Sequence, residues 1–474
     1  MTSTTESTVV VPEPATDPLQ DTIAYGAVGF GLADIPKETV HAAKKRILDC
    51  VAGIYPALSA EPSAVVRDLA ARHYQSGPAT ILGTDQRTTV DMAAFANATT
   101  ARFAELNDAL HVPGSPGGHP SDIITPLLAV AEGERSSGVD LIVAVVLGYE
   151  VYISMAETTS LANWDATNWA SLATAVGTGK LLGFDVQQFR DAISIVLIPN
   201  NALRRARRGN LSMWKAAAAG QAGRAGVFAA LLVQSGMTGP TLPFIGKTGW
   251  HDGVGQGTPT ELPRFADRER SLRLHRSILK PRAACGTAIP SVLAAEKAFD
   301  HERDPLVIRR VLVETYGDAK AKLGTYAHHW HPTTRESADH SIPYAVAAAL
   351  VDGVVGPDQF DDDHLADERI RHVMSVVEVE EDARFTGDYL NPPHLHRTRV
   401  TVETSDSTAV GDVGGEYGEI GEEMSDDDAN RKFLNLTGGH LGQEHSESLL
   451  AQLWDLDSVA DMAAIPPLLV PQTG

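Results

Sequence analysis

Residues 105–122 set Glu105, Asp108, His111 and His119 in a connection crowded with Pro and Gly, between two alanine-rich stretches. Carboxylates and imidazoles on a turned loop held by packed scaffolding are the equipment of acid–base chemistry. Three more clusters follow. Arg204, Arg205, Arg207 and Arg208 stand shortly before Trp214 and Lys215. His275 and Arg276 precede Lys280 and Arg282. Tyr326 opens a run with His328, His329 and His331, after which come Arg335, Asp339 and His340.

Two of these clusters concentrate cations in a chain of 474 residues whose net charge is −22. A cationic pocket on an acidic body suits a small polycarboxylate, with Arg as a forked clamp and Lys as a point charge. The plainer alternative for each cluster is a solvated helix face, or ion pairs to the surplus carboxylates. Lys215 fits that alternative less well, because Trp214 and the alanines after it imply a buried setting, where an unused charge is costly.

The same net charge argues against nucleic acid and against an anionic membrane surface as partners. High solubility or adaptation to salt explains the acidity. His328 and His329 are adjacent, so their rings diverge and make poor joint metal ligands; no metal is expected. The glycines at 253, 255 and 257 lack the Lys-Ser/Thr of a phosphate loop, and no Gly-x-Ser-x-Gly elbow occurs. Cys50 and Cys285 are too few for a disulfide framework and point to a reducing cytoplasm. Neither sits at ligand spacing, so neither is assigned to catalysis.

The elements that must hold these residues read as mostly helical from 21 to 236. Apolar and charged positions alternate at helical spacing over 40–49, and helices are predicted over 92–106, 123–132, 140–156, 171–182, 186–198 and 212–234. The apolar run 141–155 is interrupted by Glu150 and reads as a buried helix rather than a membrane span. Strand signals appear at 306–315, 376–380 and 398–404, with helices at 286–299, 345–351 and 363–374. An acidic, Gly-rich connection over 411–428 leads to helices at 428–436 and 446–453. The expected fold is mainly α with an α+β second domain. A helical domain is built from residues 18–270 and 405–474, and an α+β lid from 271–404 is inserted between them, after a disordered tail over 1–17.

Asn107-Asp108 with Gly118-His119-Pro120-Ser121-Asp122, then Leu211-Ser212-Met213-Trp214-Lys215, then Leu279-Lys280-Pro281 and Ala338-Asp339-His340-Ser341-Ile342-Pro343-Tyr344, resemble the MmgE/PrpD family. The resemblance covers about residues 20–465. The family contains 2-methylcitrate dehydratases, cis-aconitate decarboxylases and related epimerases. What it implies is a homodimer with no cofactor, acting on a small tricarboxylate in a site between the two domains. Carried over by position, the catalytic residues are Asp108, His119, Lys215, Lys280 and Tyr326. Glu105, Arg208, Arg282 and His340 are the expected substrate-binding residues.

Within the family the dehydratase reading is favoured. Trp164 stands where decarboxylase-like members carry histidine, and the Gly118–Asp122 and Ser337–Ser341 segments look dehydratase-like. Three departures touch the pocket: Glu105 replaces the usual aspartate, Ala109 replaces Thr or Ser, and the loop before Gly118 is longer. The implied reaction is loss of water from 2-methylcitrate in propionate catabolism. Asp108 or His119 would take the proton, His119 or Tyr326 would protonate the leaving hydroxide, and Lys215, Lys280 and Arg282 would meet the developing charge. The rival within the family is epimerisation, isomerisation or decarboxylation of a related acid.

Overall fold

The computed structural model describes residues 16–161, 163–209, 211–256, 262, 265–266, 272–300, 303–414 and 424–471. Two large hydrophobic cores organise these residues, with three small clusters beside the larger. The larger is built by helices from both ends of the chain: Lys37–Ala52, Ile124–Gly133, Gly138–Thr158, Thr167–Leu181 and Val186–Leu197 pack with Asp426–Leu441 and Gln443–Trp454. The smaller lies between a four-stranded sheet and the helices Ile289–Ala298 and Ile342–Asp352. The fold is therefore mainly α, with an α+β second domain inserted into the helical one.

Alanine and glycine set the helix spacing. The helices Val90–Phe103 and Thr167–Leu181 both lie against Trp214–Gln234. A Cβ placed on Gly220 would stand 2.5 Å from the carbonyl oxygen of Phe95 and 2.2 Å from Thr99 Oγ1. Gly226 comes equally close to the backbone of Ser171, at 2.6 Å. Backbones can approach this far only where no side chain intervenes.

A short hairpin, β1 (Gln75–Thr80) with β2 (Arg87–Thr88), decorates the helical domain and gave no clear signal in the sequence. The main sheet has the order β4-β3-β5-β6, with β3 at Ile308–Thr315, β4 at Val377–Glu381, β5 at Thr398–Thr404 and β6 at Thr408–Val413. β3 runs parallel to β4 and antiparallel to β5, and β6 is antiparallel to β5. Val311, Val313 and Thr315 face the core, as the period-2 pattern requires, and a register shift between Ile308 and Arg310 lets Ile308 be buried too.

Several boundaries differ from the sequence reading. Leu272 and Leu274 pack into the larger core, while Val413 packs into the smaller. The inserted domain thus starts after 274 and ends near 413, not at 271 and 404. The supposed acidic connection begins with β6, because Thr408–Val413 alternates and completes the sheet edge; residues 415–423 lie outside the described residues. The helix expected over 363–374 breaks at Asp367, whose carboxylate caps Arg369 N and so starts a new helix. Asp17, counted with the tail, belongs to the fold: its carboxylate accepts from Gln20 N at 3.2 Å and from Phe244 N at 2.8 Å. The rest of the predicted tail, 1–15, lies outside the described residues.

Gly138–Thr158 is longer than expected, because Ser137 and Asp140 form a capping box at its start. It and Trp214–Gln234 are long and apolar enough to cross a bilayer, yet 89% and 72% of their most apolar windows are buried inside the protein. Both are core helices here.

Overpacking at the closest crossing supplies a test. Gly220→Val should lower stability by about 1–3 kcal/mol, seen as a drop in Tm of several degrees. An unchanged Tm would mean that the helices are not held this close.

Candidate active site

The loop after Phe103 is shaped by its own backbone pairing. Glu105 has φ +55, a left-handed turn beyond the alanine-rich helix, which ends at Phe103, three residues earlier than the sequence suggests. Ala109 then pairs with Ile278, N–H to C=O at 2.8 Å in both directions, and Leu110 pairs with Gly118. These two bridges bring Lys280 and His119 to the Glu105 turn. A third bridge, Trp164 with Leu203, lays the arginine turn Arg204–Arg207 beside Asp165.

Beneath the loop is a buried charge cluster. Glu105, fully buried, pairs with Arg102 at 2.8 Å, Lys280 at 2.8 Å and Lys215 at 3.3 Å. Lys215 Nζ also donates to both oxygens of Asp339, at 2.6 and 2.8 Å. Asp339 in turn binds His340 Nδ1 at 2.6 Å. Burial opposes the charge on Glu105, but Arg102, Lys280 and Lys215 overcome it and hold the carboxyl well below the usual carboxylate range. Asp339 is lowered in the same way, burial being outweighed by Lys215 and His340. Lys280 is lowered, because burial outweighs the pull of Glu105.

Ligand atoms of Glu105, Asp339 and His340 lie within 4.8 Å of one another, a spacing a metal ion could use. The Lys215 ammonium already bridges the two carboxylates and Lys280 adds a second cation on Glu105, so the cluster is neutralised by lysine.

Above the cluster a cleft opens between the domains. The helical domain contributes Arg102, His119, Asp122 and the arginines at 204, 207 and 208; the inserted domain contributes Cys285, Lys322 and His340. His119 Nδ1 donates to the carbonyl of Asp108 at 2.6 Å, which leaves Nε2 to accept from Arg102 Nη2, also at 2.6 Å. That tautomer is neutral, and burial together with Arg102 pushes His119 well below its ordinary range. Asp122 moves the other way. Burial raises its carboxyl to about 7, although Arg102 pulls it down. Its Oδ1 has no hydrogen-bond partner among the described residues, and lies 3.6 Å from Arg102 Nε, which has none either.

The residues singled out in the sequence fall into three groups. His119, His340 and Arg208 line the cleft. Glu105, Lys215 and Lys280 are at most 3% exposed and sit one layer behind it, acting on the lining through Arg102 and Asp339. Asp108, Tyr326 and Arg282 are elsewhere. Both carboxylate oxygens of Asp108 are occupied, one by Ser121 N and one by the Tyr149 hydroxyl, each at 3.0 Å. It shapes the His119 loop and does not face the cleft. Tyr326 is 53% exposed and borders an outer groove with Arg208, Lys322 and His329. Arg282 is forked onto Glu296 at 2.7 Å through two nitrogens, so it leaves the cleft to other arginines.

Sequence reasoning passed over Arg102, Asp122 as an acid–base group, Lys322 and Cys285. Arg102 carried a usable signal, since it precedes Glu105 by one helical turn. Asp122 had none, because only burial distinguishes it from other aspartates.

The sequence matches the MmgE/PrpD N-terminal domain over residues 21–263 and the MmgE/PrpD C-terminal domain over residues 283–456. Cis-aconitate decarboxylase of Homo sapiens is 22% identical over 471 residues, covering 95% of this chain and 94% of that protein. The mitochondrial 2-methylcitrate dehydratase of Yarrowia lipolytica is 24% identical, over 76% of this chain and 71% of its own. The 2-methylcitrate dehydratase of Salmonella typhi is also 24% identical, over 69% and 70%. With both domains matched in order and the motif residues gathered around one cleft, this chain belongs to the MmgE/PrpD family.

Proposed function

We propose that the protein is a lyase that removes water from a hydroxy-tricarboxylate, 2-methylcitrate, to give 2-methyl-cis-aconitate. The observation that carries the reading is a cleft rich in arginine around a carboxyl group poised near neutrality, in a chain that is otherwise strongly acidic. Relatives named for 2-methylcitrate and for cis-aconitate support that substrate class. In this reading the enzyme needs no cofactor and works in the cytoplasm, in propionate catabolism. A homodimer is supported by exposed apolar side chains beside the arginine turn, Leu203 and Trp214.

Arg204, Arg207, Arg208 and Lys322 take the substrate carboxylates. Asp122, ionised, removes the proton from the carbon beside one of them. The charge that develops on that carboxylate meets Arg102, whose Nε and Nη1 have no hydrogen-bond partner among the described residues. Preorganised contacts of this kind are worth roughly 3 kcal/mol each. The leaving hydroxide takes its proton from His340, which stays charged more readily than an ordinary histidine: burial and Lys215 lower it, but Cys285 and Asp339 raise it further. His119 is a poorer donor, since its one proton is given to Asp108. Walls from both domains keep bulk water from weakening these contacts.

Decarboxylation of cis-aconitate is the second reading, supported by the 95% coverage of the human relative. Offering 2-methylcitrate, citrate, cis-aconitate and iminodisuccinate separately decides between them. The lyase reading expects ultraviolet absorbance of a new conjugated double bond from 2-methylcitrate. Carbon dioxide released from cis-aconitate, with no reaction of 2-methylcitrate, would replace it.

The base assignment predicts that kcat/KM rises with pH through about 7, as Asp122 loses its proton. Asp122→Asn should cut kcat by about 10²–10⁴ and abolish that limb; a limb that survives in the variant removes Asp122 from the role. Arg208→Ala should raise KM roughly tenfold, the loss of one charge-assisted hydrogen bond, with little change in kcat. If kcat falls instead and KM holds, Arg208 is not a ground-state contact.

A further inference from the structure

Cys285 is one of two cysteines in the chain, and the two differ sharply. Cys50 is 1% exposed and lies in the larger core, where burial, reinforced by Asp49 and Asp108, pushes its thiol well up. Cys285 lines the cleft. The imidazole of His340 lines the same cleft and acts electrostatically on the thiol, and its Nδ1 is held by Asp339 Oδ1 at 2.6 Å. The backbone of Cys285 is fixed on the same partner, N–H to the carbonyl of Asp339 at 2.9 Å. The thiol also stands at the start of Gly286–Ala288 and Ile289–Ala298. Sulfur, imidazole and carboxylate therefore follow one another in the order that activates a nucleophile.

Independent observations point to a ligand here. Arg102 and Asp122 are each more than nine-tenths buried and border the same cleft. Arg102 Nε and Nη1 and Asp122 Oδ1 have no hydrogen-bond partners among the described residues. The cationic rim selects an anion, and the sulfur at its wall selects one that is electrophilic.

We propose that Cys285, with His340 and Asp339, is a covalent modification site for small α,β-unsaturated carboxylates that enter the cleft. Sγ, having given its proton to His340, attacks the β-carbon. The carbon–sulfur bond forms, the π bond breaks, and its electron pair moves to the α-carbon and the attached carboxylate. The α-carbon then takes the proton from His340 Nε2. The product is a thioether, His340 ends neutral, and no oxidant or reductant is needed. His340 outweighs burial and brings the thiol down to about 7, so a large thiolate fraction is present at neutral pH.

The class includes the conjugated acid that the proposed elimination would release, and that one link rests on the lyase reading. The modification itself requires no turnover, so either reading can fail alone.

The test is alkylation of the full-length protein, followed by peptide mapping in a mass spectrometer. Maleate should give a single adduct, on Cys285, with Cys50 untouched. Iodoacetate should outpace iodoacetamide by about tenfold more than it does with a free thiol, because the rim concentrates the anion. At pH 6 iodoacetamide should react with Cys285 about tenfold faster than with a cysteine peptide, and His340→Ala should erase that advantage. A parallel melting curve for His340→Ala shows whether the fold persists. If it does not, Arg208→Ala serves as the second variant, losing the iodoacetate preference while keeping the iodoacetamide rate. Peptide-like reactivity of Cys285 in the wild type, or equal labelling of both cysteines, overturns the proposal.

Discussion

Glu105 is the point on which the rest of the site depends. It receives Arg102 from the last turn of the helix before it, Lys215 from the start of Trp214–Gln234 and Lys280 from the crossing into the second domain. Asp339 brings the second domain to Lys215 as well. Buried ions cost several kcal/mol each unless every one finds a partner, and loss of a single partner typically costs about 3–5 kcal/mol. The cluster therefore has few alternative arrangements. That rigidity passes upward, through Arg102 to His119 and through Asp339 to His340. The titratable groups of the cleft are placed by ions that mostly do not touch it.

An acidic protein can keep a cationic cleft because the two charge populations live in different media. Surface carboxylates are screened over about 8 Å at physiological salt. Many also have local partners: Asp457 with Lys44, Asp461 with Arg135, Asp426 with Lys45. The buried cations are screened far less, so a ligand in the cleft feels Arg102 more strongly than the distant negative surface. Net charge thus says little about what this cleft binds, whereas clustering of the arginines at 204, 205, 207 and 208 says a good deal.

Much of the fold was legible because helix periodicity and capping are local. Val186–Leu197 and β5 were readable nearly to the residue, and the helical domain's assembly from both chain ends followed from the change of texture near 271. β6 was not legible: glycine and acid content masked a strand defined by pairing with β5. In the site, charge type was readable and orientation was not. Lys215, Lys280 and His340 stand out in the sequence by charge type and share one network in the fold, yet nothing local tells that Lys215 faces Asp339 rather than a substrate. Asp108 looked like a base until Tyr149 and Ser121, 41 and 13 residues away, were seen to occupy its oxygens. Arg282 was lost to Glu296, one surface pairing among many that the sequence allowed.

The glutamate at 105, where the resemblance leads one to look for aspartate, has a geometric reason. The residue holds φ +55, a conformation that costs a side-chain-bearing residue roughly 1–2 kcal/mol. The turn is needed, because it swings the chain from the helix axis into the bridge with Ile278. A carboxylate displaced by that turn must reach Arg102 and Lys215 with one oxygen and Lys280 with the other. The extra methylene of glutamate supplies that reach, and three charge-assisted contacts, each worth about 1.5–3 kcal/mol, offset the strain. The substitution therefore alters the spacing of the charges while preserving their number. Spacing is the property that would distinguish one polycarboxylate from another in a cleft whose cations lie directly above it.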